Sequence, residues 1–117
     1  MATDTAFNHL QWVARFLRDS VLDVGYTAHP SFISRAELAA IQGPLSIAAA
    51  SIDEIFTAPL RHESEEILIA TKQPFQLNLF SDVTHGFAVR ADLSQPENRF
   101  AQAAAFQQAV AWFDHHL

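Results

Sequence analysis

Three short apolar runs set apart by stretches of helical spacing constrain this chain more than any other feature. Residues 21–28 read Val-Leu-Asp-Val-Gly-Tyr-Thr-Ala and residues 45–51 read Leu-Ser-Ile-Ala-Ala-Ala-Ser. From Phe75 onward, Phe75, Leu77 and Leu79 alternate with polar residues. The second run is nearly all apolar, as expected of a strand buried on both faces of a sheet. The first reads as a short buried strand that stops at His29-Pro30, where proline bars further regular pairing.

Helical patterns surround these runs. In residues 7–19 the apolar positions Phe7, Leu10, Val13, Ala14, Phe16 and Leu17 recur at helical spacing, with Arg15 and Arg18 on the outer face. Ser34, followed three residues later by Glu37, is a capping-box pattern, and it opens a helix through Leu38, Ala39 and Ile41 to the stop signal Gly43-Pro44. Pro59 marks the next helix, to about Thr71, with Leu60, Ile67, Leu68 and Ala70 apolar. Pro96 fits the first turn of the last helix, whose apolar positions are Phe100, Ala103, Ala104, Phe106, Val110, Ala111 and Phe113. Alternating helices and strands predict an α/β fold, a three-stranded parallel sheet with right-handed crossovers and about four flanking helices. No repeat or linker divides the sequence, so residues 1–117 are expected to form a single domain.

Composition narrows the function classes. Half of the residues are hydrophobic, which argues against disorder. A formal charge of −6 argues against nucleic acid or an anionic membrane as partner, since both reward clustered Lys and Arg. The absence of cysteine excludes disulfides, thiolate metal sites and a cysteine nucleophile. No apolar run is long enough to span a bilayer and no basic-then-apolar leader is present, so a soluble cytoplasmic protein is the expectation.

The chemistry is expected where the strands end. In a parallel sheet, ligands gather beyond the carboxyl ends of the strands. The run 45–51 is followed by Asp53, and the strand from Phe75 breaks into a polar turn and delivers His85, with Gly86 after it. An Asp–His pair is one reading; a helix-capping aspartate and a solvated turn histidine are the other. No cofactor or metal is expected. His62 and Glu66 lack the second histidine of a zinc motif, and Asp114-His115-His116 are explained by a helix terminus, where imidazolium suits the dipole.

Several blocks fall in an order that resembles the carboxyl-terminal half of a dienelactone hydrolase, a branch of the α/β-hydrolases. They are His29-Pro-Ser-Phe32, Gly43-Pro-Leu-Ser-Ile-Ala-Ala-Ala50, Asp53 with Ile55-Phe56, Arg61-His-Glu-Ser-Glu65, His85-Gly-Phe-Ala-Val-Arg90 and the closing Ala111-Trp-Phe-Asp114. The resemblance implies Asp53 as triad acid and His85 as triad base. It places the first three helices on one face of the sheet and the last on the other, and it leaves the family's first five strands without counterparts. Enzymes of this fold use a Gly-x-Ser/Cys-x-Gly elbow. Gly25, Gly43 and Gly86 are the only glycines and no two are four positions apart. Phe7 falls where the nucleophile belongs and His9 where an elbow glycine would be, which makes His9 a candidate active-site group.

The expected function follows from what remains. His85 oriented by Asp53 would move protons on a small carbonyl, ester or lactone compound, in isomerisation, dehydration, cyclisation or lactone chemistry. His29 faces the same site, as substrate ligand or as a histidine packed before proline. Arg90 is either a ligand for substrate carboxylate, as in some relatives, or a surface ion-pair partner. The alternative is a non-catalytic small-molecule or protein binding module, or an inactive hydrolase remnant. The uncovered edge of 21–28 and the uncovered last helix imply a homodimer, with the half-sheets joined edge to edge.

Overall fold

The computed structural model describes residues 23–30 and 34–117. The helix expected over 7–19, with Phe7 and His9, lies outside the described residues, as do Val21 and Leu22. The elements in order are β1 (Gly25–Ala28), α1 (Arg35–Ala39), β2 (Leu45–Ile52), α2 (Ala58–Thr71), β3 (Phe75–Thr84), α3 (Phe87–Arg90) and α4 (Pro96–His116). The strands form one sheet in the order β1-β2-β3, and both pairings are parallel. Gly25 pairs with Leu45, and Leu45 with Phe75.

The central strand sorts its side chains by the two-residue period of a strand. Leu45, Ile47 and Ala49 join Leu38, Ile41, Phe56 and Leu68 in a core under α1 and α2, with Phe75 and Leu77 packed against it. Ala48 and Ala50 face the other way, onto Val83, Phe87, Ala101 and Ala105. α1 and α2 therefore cover one face of the sheet and α4 the other. Every side chain from Leu45 to Ala50 is fully buried, as the apolar run implied.

Local signals explain the element ends. Ser34 Oγ accepts from the Glu37 N–H at 3.4 Å and caps α1. That helix ends at Ala39, two residues short of Ile41, although Ile41 is buried in the same core. Thr57 caps α2 in the same way, and Lys72, left-handed at φ 64°, closes it. Arg35 and Glu63 pair at 2.6 Å and tie α1 to α2 on the exposed surface.

α4 turns its small residues to the sheet and its large ones outward. Its sheet-facing stripe is Ala101, Ala105 and Gln108, while Phe100 and Phe106 are about 70% exposed and Val110 is also exposed. Small residues let the helix backbone approach Ala48 and Ala50 closely, and that contact would be blocked by phenylalanine. Closeness also allows polar bridges. Tyr26 donates its hydroxyl to Ala105 O at 3.0 Å, and Gln108 Nε2 donates to Ser46 Oγ at 2.8 Å and Ile47 O at 3.1 Å. Burial pushes the Tyr26 phenol up to about 12. Among the described residues, no helix is long and apolar enough to cross a membrane.

Candidate active site

The site is built by an irregularity in β3. Ala50 pairs with Phe80, yet Ile52 pairs with Thr84, so β3 holds extra residues between the two pairings. Asp82 takes up the slack in a left-handed conformation at φ 61°, and its N–H donates to Ser51 Oγ at 2.9 Å. Aspartate tolerates this region better than most residues. The consequence is a matter of register. With Thr84 beside Ile52, the next residues on the two strands, Asp53 and His85, come together. Unbroken pairing would have set Asp53 against Val83. Ser51 and Asp82 are thus positioning residues that the sequence reading did not single out. The strand itself continues through Thr84, so that the turn begins only at His85.

Asp53 uses both carboxylate oxygens. Oδ1 accepts from the backbone N–H groups of Ile55 at 2.8 Å and Phe56 at 3.0 Å, which fixes the carboxylate plane. Oδ2 lies 2.9 Å from His85 Nδ1. The Asp53 side chain is almost wholly buried and that of His85 is 16% exposed. With Nδ1 facing the carboxylate, the Nε2 edge of the His85 ring points away from Asp53.

The residues after His85 form a tight, closed corner. Gly86 adopts φ +92°, a conformation that side chains resist, and a Cβ there would fall 2.8 Å from Nη2 of Arg90 and 3.2 Å from Nε. Glycine thus admits both the turn and the guanidinium folded back over it. Phe87 is buried, and Gln102 of α4 holds this corner by donating to Ala88 O at 3.2 Å. The ion pairs among the described residues, Arg35–Glu63 and Asp53–His85, do not involve Arg90.

His29 reaches the same place from β1. It is 4% exposed, at φ 37°, and its ring meets His85 edge-on with centroids 5.1 Å apart and Phe87 at 5.5 Å. Burial pushes its imidazole down from 6.5 to about 4; the charges of His85 and Arg90 add to the fall, while an approach to its own backbone and the charge of Asp53 oppose it. Three strand ends therefore converge, with His29, Asp53 and His85 at their tips. His62 and Glu66 lie exposed on α2, and His115 and His116 cluster with Trp112 at the end of α4. Among the described residues, no group of three or more His, Asp or Glu side chains is arranged to hold a metal ion.

A parallel sheet that carries a carboxylate and an imidazole on the tips of adjacent strands, with helices on both faces, has the α/β-hydrolase architecture. The model of the dienelactone hydrolase family matches residues 14–117, and the chain belongs to that family. It is 51% identical over 107 residues to hydrolase pyvD of Aspergillus violaceofuscus, which covers 92% of this chain and 44% of the relative. Hydrolase tropI of Talaromyces stipitatus is 52% identical over the same length, covering 92% and 42%. The chain thus spans less than half the length of the curated relatives it matches. Among solved structures, a dienelactone hydrolase-like promiscuous phosphotriesterase from metagenomic libraries superposes with a TM-score of 0.69 at 14% identity, over 86% of this chain and 45% of that one. This last likeness concerns the fold alone.

Proposed function

We propose that this chain transfers protons on a small carbonyl, ester or lactone compound, with His85 as general acid or base and Asp53 as the group that orients it. One observation carries the reading: the 2.9 Å contact between His85 Nδ1 and Asp53 Oδ2, with the other carboxylate oxygen locked by two backbone N–H groups. Such an anchor orients the ring and favours the tautomer with the proton on Nδ1, in which Nε2 is the basic nitrogen. Imidazole is suited to proton transfer near neutral pH. Membership of the dienelactone hydrolase family supports a lactone among the candidate substrates. No Gly-x-Ser/Cys-x-Gly sequence occurs within the 117 residues, so the chemistry assigned to them excludes an acyl-enzyme on an elbow serine or cysteine. Arg90, folded over Gly86 beside the imidazoles, would receive a substrate carboxylate.

A panel of enolisable lactones and ketones, followed by proton NMR in D2O, tests this. His85→Ala should slow exchange or isomerisation by roughly a hundredfold, the usual scale of general acid–base catalysis. Activated esters should turn over no faster than with His85→Ala, and stoichiometric labelling by a serine-directed fluorophosphonate would overturn the non-covalent reading. A second reading, a binding module, is favoured by the exposed apolar flank of α4. It replaces the first if ligands bind and none reacts.

A further inference from the structure

His29 carries two destabilising features. Both ring nitrogens are buried and neither reaches a hydrogen-bond partner in another residue, the ring's one polar approach being to its own backbone, although imidazole always has at least one donor to satisfy. Its backbone is held at φ 37°, ahead of a proline, by a 2.7 Å bond from its N–H to Ala48 O. An unpaired buried polar group and a left-handed non-glycine residue are each destabilising. A leucine or phenylalanine would fill the space without the first of these. Structural packing therefore accounts for the ring's volume and not for its nitrogens. The ring touches His85, the working imidazole, and is backed by Phe87.

We infer that His29 is the neutral hydrogen-bond donor to the oxygen of an enolisable carbonyl compound, whose α proton His85 removes. This rests on the reading of Asp53 and His85 given above. His85 Nε2 takes the proton from the α carbon, the C–H electron pair becomes the carbon–carbon double bond, and the carbonyl π pair moves onto oxygen. There the N–H of His29 meets the developing charge. The proton then returns from His85 to the same carbon, giving exchange, or to the far end of a conjugated system, giving a 1,3-shift. No other reactant is consumed. His29 remains unprotonated at neutral pH, so it stabilises an oxyanion without competing with His85 as an acid. Hydrogen bonds of this kind are commonly incomplete in an empty site and close when ligand enters.

The probe is pyruvate in D2O at neutral pD, read as loss of its methyl proton signal above the buffer rate. Wild-type protein should accelerate exchange. His29→Phe should lower that rate by about a hundredfold, the scale for loss of one oxyanion donor. His29→Asn, which accepts a left-handed backbone and restores an N–H, should recover at least a tenth of the wild-type rate. Pyruvate should also shift the His29 ring resonance in wild-type protein, a readout that needs no variant to fold. If His85→Ala abolishes exchange while folded His29→Phe keeps it, the inference about His29 is overturned and the Asp53–His85 reading stands. If wild-type protein gives no acceleration, or His85→Ala keeps it, both are overturned. An unmoved His29 resonance at saturating pyruvate overturns the inference alone.

Discussion

Asp53 Oδ2 meets His85 Nδ1 at 2.9 Å because Ile52 and Thr84, the residues just before them, are register partners across β2 and β3. The contact therefore depends on the bulge at Asp82, and the other carboxylate oxygen depends on the turn at Ile55 and Phe56. Two substitutions at Asp53 separate these roles. Asp53→Asn keeps an oxygen for the turn and should lower turnover less than His85→Ala, since the imidazole stays. Asp53→Ala also removes the acceptor for two N–H groups and should destabilise the protein by about 1–2 kcal/mol, as loss of a cap does. Denaturant titration of the three variants beside their turnover checks both statements.

Gly86 offers a sharper steric test. At φ +92° an added Cβ is strained in itself, and it would stand 2.8 Å from the Arg90 guanidinium. Gly86→Ala should destabilise by about 1–3 kcal/mol and drive Arg90 off the site. Thermal unfolding reads the first effect. The second should appear as a raised KM for carboxylate-bearing ligands, matched by Arg90→Ala, with kcat changed much less.

How much of this was legible in the sequence depended on whether the signal was local. The cap at Ser34, the buried run of β2 and the positions of Asp53 and His85 after their strands were readable, because each is written in a few adjacent residues. Asp53 even satisfies two competing readings, one oxygen in a turn and the other facing His85. The bulge in β3 was not readable, since a left-handed Asp82 and a Ser51 acceptor thirty-one residues away leave no periodic trace. The apolar positions of α4 alone did not tell which of them face the sheet, because small and large residues alternate around the helix. Ala101, Ala105 and Gln108 face the sheet, and Phe100 and Phe106 face out.

His29 makes stability depend on pH in a stated direction. Its folded value of about 4 lies below the ordinary 6.5, so the unfolded chain binds the proton more readily. The contribution is complete above about pH 6.5 and is lost as pH falls toward 4, amounting to roughly 2–3 kcal/mol. His85, Arg90 and Asp53 are the charged groups facing it, and the first two deepen the effect. Denaturant midpoints at pH 7 and 4.5 should differ more for wild type than for His29→Phe. Equal differences would mean that the imidazole is not held neutral.

The outer flank of α4 supports an assembly that the site itself does not require. Phe106, Val110 and Leu117 follow one another at spacings of four and seven, so they share a stripe, and all three are exposed. They lie nearly opposite Ala101, Ala105 and Gln108, which gives the helix two apolar faces and only one sheet to cover. Because the outward side chains are large and uncharged, a second copy packing the same stripe antiparallel is the self-complementary solution, and we propose that the chain is a homodimer through α4. Sedimentation at micromolar concentration should give twice the chain mass. Phe106→Asp with Val110→Asp should reduce it to the monomer mass without unfolding, because neither residue touches the core. A wild-type monomer under those conditions removes the proposal. A dimer unaffected by the double substitution moves the interface elsewhere, and the outer edge of β1, which no strand among the described residues pairs, becomes the place to look.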